Sequence, residues 1–266
     1  MIRLPPVGDA IRAALLTPDP AAKVMAARKV ARDWRLGRLG LTFDQPMPDR
    51  PARPVAPELL PPNRMPKRGK AGSERGRLAL WHALAHIEFV AIDLALDMAG
   101  RFGAEMGEDF VSDFLGVAAD EAMHFALLEL HLATMNSSYG AMPAHDGLWQ
   151  AAEQTAHSVA ARLAVVPMVL EARGLDVTPS TIERVTNHGD MAGARILTRI
   201  LDDEIRHVAI GSKHFNECAR IQDMTPENYW ISLVRRHFRG GLKPPFNDSA
   251  RLAAGLSLSA CAVLAC

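Results

Sequence analysis

One arrangement, written twice, constrains this chain more than any other feature. Glu88 stands 33 positions before Glu121-Ala-Met-His124, and Glu171 stands 33 positions before Glu204-Ile-Arg-His207. Residues three apart on an α-helix share a face, so each Glu and the His that follows it can reach inward to one point. A separation of 33 suits two helices of moderate length joined by a short loop, which returns each single Glu to the side of its Glu-x-x-His partner. The pattern predicts an all-α fold built on four long helices, with four carboxylates and two imidazoles turned toward its middle.

Carboxylates on an apolar helix face need partners, because removing an unpaired one from water costs several kcal/mol or forces it neutral. Glu171 follows the uncharged run Leu163 to Leu170, and Glu88 sits among Ile87, Phe89, Val90 and Ile92. For either Glu alone, an ion pair with an arginine such as Arg173 or Arg206 is the simpler explanation. A lone Glu-x-x-His also arises by chance. Two such elements at matched spacing reverse that preference, because one Glu from each of two helices plus Glu-x-x-His from each of two others is how four-helix bundles hold two metal ions. The candidate metal ligands are therefore Glu88, Glu121, His124, Glu171, Glu204 and His207. A donor set rich in carboxylate and free of thiolate suits two Fe ions first, with Mn or a mixed Mn/Fe pair next, rather than structural zinc. The H-E-x-x-H signature of zinc proteases is absent. No catalytic residue beyond the ligands and no other cofactor-binding motif stands out.

The neighbouring polar residues carry weaker signals. Asp120 and Asp203 each precede a candidate Glu, and either could accept the outer N–H of a ligand imidazole or lie solvated on its helix. His86 is about 200° around the helix from Glu88 and so points away from the same centre. With His82 it reads as a minor candidate only. His131 and His214 each follow a candidate His by seven positions, which puts them on the interior face two turns on. The densest basic stretch, Arg235 to Lys243, together with Lys67, Arg68 and Lys70, could line an anion pocket. A solvated helix end is the plainer reading.

Punctuation along the chain sets the organisation. A first helix is expected over Asp19 to Leu39, then a proline-rich arm from Thr42 to Gly72, with prolines at 46, 48, 51, 54, 57, 61, 62 and 66; the interspersed Val55, Leu59, Leu60 and Met65 let it grip the domain. Bundle helices are expected over about 73–101, ended near Gly103, over 105–135, over 149–173, closed at Gly174 and kinked at Pro167, and over 190–219. A short helix is expected at 178–187 and another from Pro226 to about Arg239. The divisions are an N-terminal helix and arm over 1–72, the bundle over 73–219 and a C-terminal helical extension over 220–266.

The whole-chain properties bound the partners. At 266 residues and 48% apolar content the chain can fill a large core, and 30 basic against 30 acidic side chains leave no general field for a polyanion. Nucleic acid is thereby disfavoured as a partner, although a tRNA is not excluded by composition alone. Three cysteines, Cys218, Cys261 and Cys266, make no disulfide framework and suit a reducing cytoplasm. Pro5, Pro6, Asp9 and Arg12 interrupt any signal-peptide core. The apolar run Leu252 to Cys266 is short for a membrane span and is expected to form a closing helix.

With those residues in place, the chain resembles the ferritin-like superfamily of di-iron carboxylate proteins over about residues 73–219. More narrowly, it resembles a bacterial branch of unknown function. The stretches that carry the likeness are His82 to Glu88, Asp120 to His124, Leu201 to His207, Met65 to Gly69 and Leu242 to Asn247. The resemblance implies a ferritin-like four-helix bundle and the six ligands already named, and it implies no substrate. Two iron ions held this way activate O2 as co-substrate. The expected function is an oxidase or hydroxylase acting on a small molecule or a modified nucleoside, served by an electron donor, with a homodimer allowed. The alternative is iron oxidation and storage or peroxide removal.

Overall fold

The computed structural model describes residues 4–65 and 73–265. Among them every named element is helical, and the extended segments make only two isolated bridges, Pro6 with Gly40 and Leu59 with Ala144. The all-α expectation holds. The chain forms two compact units, Met1–Trp149 and Gln150–Cys266.

In the first unit, α1 (Val7–Leu15) and α2 (Pro20–Arg35) pack with α3 (Glu74–Met106) and α4 (Glu108–Thr134). Asp19 caps α2 by accepting the Ala22 N–H at 2.8 Å, and Pro20 occupies the first turn, where its missing donor costs nothing. Helix α1 went unforeseen: it is short, begins directly after Pro6 and has no side-chain cap. Ser73 caps α3, whose N–H of Gly76 it accepts at 3.1 Å. Gly103 does not end α3. It is a packing residue, since a Cβ there would lie 2.6 Å from both Phe43 and Val111 side chains. The helix instead stops at Gly107, whose φ of 88° falls in the region glycine tolerates, and α4 starts at once.

The proline-rich arm wraps this unit, but Val55 and Leu59, expected to grip it, are exposed, and Phe43 and Met47 make the contacts instead. Met47 is buried against Gly100, and half-buried Phe43 packs on Gly8 and Gly103. Polar links reinforce the grip. Arg101 donates to the Pro48 carbonyl at 2.8 Å while pairing with Asp97. Lys23 of α2, fully buried, reaches Asp93 of α3 at 2.5 Å and the carbonyls of Leu15 and Ala52 at 3.2 and 3.0 Å. Arg53 of the arm approaches the other Asp93 oxygen at 3.2 Å. The stretch containing Lys67, Arg68 and Lys70 lies outside the described residues, as does Cys266.

Helix α3 is also long and apolar enough to cross a bilayer, with mean hydropathy 1.4 over its most apolar window, but 67% of that window is buried inside the protein. That burial is what the central helix of a helical core shows.

The second unit departs further from expectation. The rod expected over 149–173 is broken: α5 (Gly147–Gln154), within which the boundary between units falls, is followed by α6 (Val159–Val165), a π segment (Val166–Glu171) and α7 (Ala172–Asn187). Ser158 caps α6 through the Ala161 N–H at 3.3 Å, and buried Arg162 reaches back across the break to Thr155 Oγ1 at 2.9 Å and the Ala152 carbonyl at 2.5 Å. Pro167 yields the π segment rather than a simple kink, because its ring supplies no donor to the α ladder. Gly174 lies inside α7, which runs on through the stretch expected as a separate helix. Helix α8 (Met191–Ile221) matches its expected span and is capped by Asp190. Helices α9 (Pro226–His237), α10 (Asp248–Ala253) and α11 (Leu258–Leu264) complete the unit. The expected closing helix is thus two short ones, separated at Gly255 with φ 76°.

Candidate metal centre

The hairpin of α3 and α4 turns at Gly107, and its two rods bring Glu88 back beside the Glu-x-x-His of α4. Glu88, Glu121 and His124 each offer a ligand atom, and those atoms lie within 4.8 Å of one another. All three residues are buried, Glu121 and His124 completely. The imidazole Nδ1 of His124 lies 3.2 Å from Glu88 Oε2 and 3.3 Å from Glu121 Oε2. Next to these ligands in sequence, Phe89 and Phe125 are fully buried and pack with ring centroids 5.2 Å apart.

Two acids this close in a dry interior resist carrying charge together. Burial, followed by the neighbouring Glu121 charge, drives the Glu88 carboxyl well above its usual range, with His124 opposing. Burial alone would lower His124, but the hydrogen bonds and charges of Glu121 and Glu88 outweigh it and raise the imidazole to about 11. The trio is built to hold positive charge, and a divalent cation ligated by carboxylates and imidazole fits that chemistry.

In the second unit, Glu204 and His207 share one face of α8, with His207 Nδ1 3.8 Å from Glu204 Oε1 and both side chains nearly inaccessible. Glu171 closes the π segment, which packs on α8. The close approach is made at Gly211, one turn beyond His207. A Cβ on Gly211 would stand 2.5 Å from the Pro167 Cβ, so the bare backbone of α8 is what admits the proline ring. Arg173 engages Asp176 and the Lys243 carbonyl, and Arg206 engages Asp203 at 3.2 Å.

The residues around the candidates take roles the sequence left open. Asp203 is gripped by Arg199 at 2.6 Å and by Arg206 on its own helix, while Asp120 lines a cleft beside α2. His82 and His86 anchor the loop 136–147. His82 Nε2 accepts the N–H of Gly140 at 2.9 Å, and His86 donates from Nε2 to the His145 carbonyl at 3.1 Å while Nδ1 takes the Tyr139 hydroxyl at 2.9 Å. Burial holds His86 neutral, down to about 4. Spacing within α3 could not reveal this, because the partners are backbone groups of a distant loop. His131 is buried edge-on to Trp81 at 4.4 Å, and His214 is also buried. The Leu242 to Asn247 stretch serves α7 and α10: Asn247 donates its backbone N–H to Asp176 at 3.0 Å and caps α10.

Residues 16–262 match the model of the family described as "Protein of unknown function (DUF455)". A Haemophilus influenzae relative, described as "Uncharacterized protein", is 42% identical over 212 residues, covering 77% of this chain and 73% of that protein. No solved structure matches the chain.

Proposed function

The chain belongs to the DUF455 family, and we propose that it is a non-haem dinuclear metal protein of the ferritin-like kind. The proposed ligands are Glu88, Glu121 and His124 from the first half of the repeat and Glu171, Glu204 and His207 from the second, with the bundle spanning residues 73–219. The observation that carries the reading is the convergence of Glu88, Glu121 and His124 at one buried point. The identical spacing of the second half extends it to six ligands.

Iron is the metal the donor set favours, with manganese or a mixed pair as its nearest substitute. Bound there, two such ions would supply two-electron reduction of O2, which suits an oxidase or hydroxylase acting on a small molecule or a modified nucleoside with an external electron donor. The chain's own side chains have defined tasks. Glu88 and Glu121 bind and balance cationic charge, and His124, held between them, is fixed in orientation. The burial of all three side chains keeps water away, so that charge interactions in the site are strong. The π segment is a second support, since such irregular turns cluster at functional sites, and here one ends on Glu171. Cys218 and Cys261, buried and not in disulfides, fit a cytoplasmic setting.

Metal content of the purified and of the anaerobically iron-loaded chain tests the reading. Two ions per wild-type chain are expected, falling toward one or none in Glu171→Ala and Glu204→Ala. Two ions retained in both variants would remove the ligand assignment. A native mass of many subunits, with iron mineral formed, would replace the enzyme by a storage protein.

A further inference from the structure

A second site of different chemistry lies on the outer side of α4. Helix α2 sets Arg28, Lys29, Arg32 and Arg35 along one wall of a cleft of about 660 Å3, and α4 supplies Ala119, Asp120 and Met123 opposite. The volume falls within the range of roughly 300–1,000 Å3 typical of small-molecule sites. Trp34 braces the cleft by donating from Nε1 to Ser112 Oγ of α4 at 2.8 Å. Val24, Ala27 and Val30 root α2 in the core, so the basic wall does not drift.

Charge is in excess there. Lys29, Arg32 and Arg38 all reach the Asp33 carboxylate, and Arg28 and Arg35 add two more cations to the same wall, facing Asp120 across the cleft. In a chain whose total charge is zero, such a concentration is a local feature and not a consequence of composition. Arg28 and Arg35 are seven positions apart, which places them about 10 Å apart along the helix and suits more than one phosphate group.

The cleft is not purely basic. Met25 is 65% exposed, and with Met123 and three alanines it offers an apolar surface in which thioethers favour aromatic rings. Asp120 stands on the α4 side, where a carboxylate repels bare phosphate and accepts from N–H or O–H donors. Cations for phosphate, a flat apolar surface and an acceptor describe a nucleotide. A long polyanion gains nothing from the carboxylate and finds no supporting field elsewhere on a neutral chain.

We infer that the α2–α4 cleft binds a nucleoside diphosphate or triphosphate, its phosphates on Arg28, Lys29, Arg32 and Arg35, its ring on Met25 and Met123, and its donor groups on Asp120. The site is independent of the metal reading, since neither its residues nor its chemistry requires an ion at Glu121 or His124.

Calorimetric titration of the full chain with ADP, with inorganic pyrophosphate and with a short single-stranded RNA tests the inference. ADP binds more tightly than pyrophosphate, and Arg28→Glu/Arg35→Glu weakens ADP by roughly tenfold or more. Both arginines are exposed, so the variant keeps its helicity and melting temperature; should it not, Arg28→Gln/Arg35→Gln takes its place with the same expectation. Asp120→Asn weakens ADP while leaving pyrophosphate no weaker. The inference is overturned if ADP does not bind, if neither double variant weakens it, if RNA alone binds, or if Asp120→Asn leaves ADP unchanged.

Discussion

Replacing Gly211 by alanine tests how closely the π segment must approach α8. Two opposing effects are involved. In a helix interior, alanine is favoured over glycine by about 1 kcal/mol through backbone entropy. The added Cβ, however, would lie 2.5 Å from Pro167 Cβ and 2.7 Å from its Cγ, where carbons prefer roughly 3.5–4.0 Å. A proline ring cannot rotate away, so the rods must part by about 1 Å, and such overpacking costs about 1–3 kcal/mol. The clash wins, with a net loss of up to about 2 kcal/mol. Gly174 is the internal control, because it lies within α7 of the same unit and an added Cβ meets nothing within 4 Å. Gly174→Ala should gain about 1 kcal/mol. By scanning calorimetry the two variants should move the melting temperature in opposite directions, by roughly 2–4 °C for each kcal/mol. Equal stabilisation by both would show that Pro167 and Gly211 are not in contact and would remove our account of how Glu171 is positioned.

Two further outcomes follow from buried charge. Lys23→Met should destabilise the first unit by about 3 kcal/mol, the low end for a broken buried pair because Arg53 remains near Asp93. The exposed Lys29→Met should cost no more than about 1 kcal/mol, and comparable urea midpoints for the two would contradict the burial argument. In the second unit, Asp176→Ala should cost about 3–5 kcal/mol, since Asp176 receives Arg251 through bonds of 2.8 and 2.7 Å in a nearly solvent-free position. Limited proteolysis should then cut first near α10; an unchanged digestion pattern would count against that clamp.

The parts legible in the sequence were those governed by local periodicity and by motif spacing. Helices α2 and α8 and the start of α3 follow caps that can be read directly, Asp19, Asp190 and Ser73. The convergence of Glu88 with Glu121 and His124 follows from a hairpin whose turn lies near the midpoint of the 33-residue interval. What escaped depended on distant partners. Gly103 reads as a terminator until Phe43 and Val111 are seen against it, and Gly174 likewise stands mid-helix. The break before α6 rests on Ser158 and on Arg162 reaching back to Ala152, a contact that no periodicity encodes. His82 and His86 had no clear role from their place on a helix face, because their partners are in a loop more than fifty positions away.

The Asp93 carboxylate, charge-paired with Lys23 from α2 and Arg53 from the arm, also limits how this protein can be simplified. A fragment reduced to the ligand-bearing helices would strand that anion against Phe89 with no counter-charge, so a miniaturised version would need Asp93 rewritten as an apolar residue before it could be expected to fold.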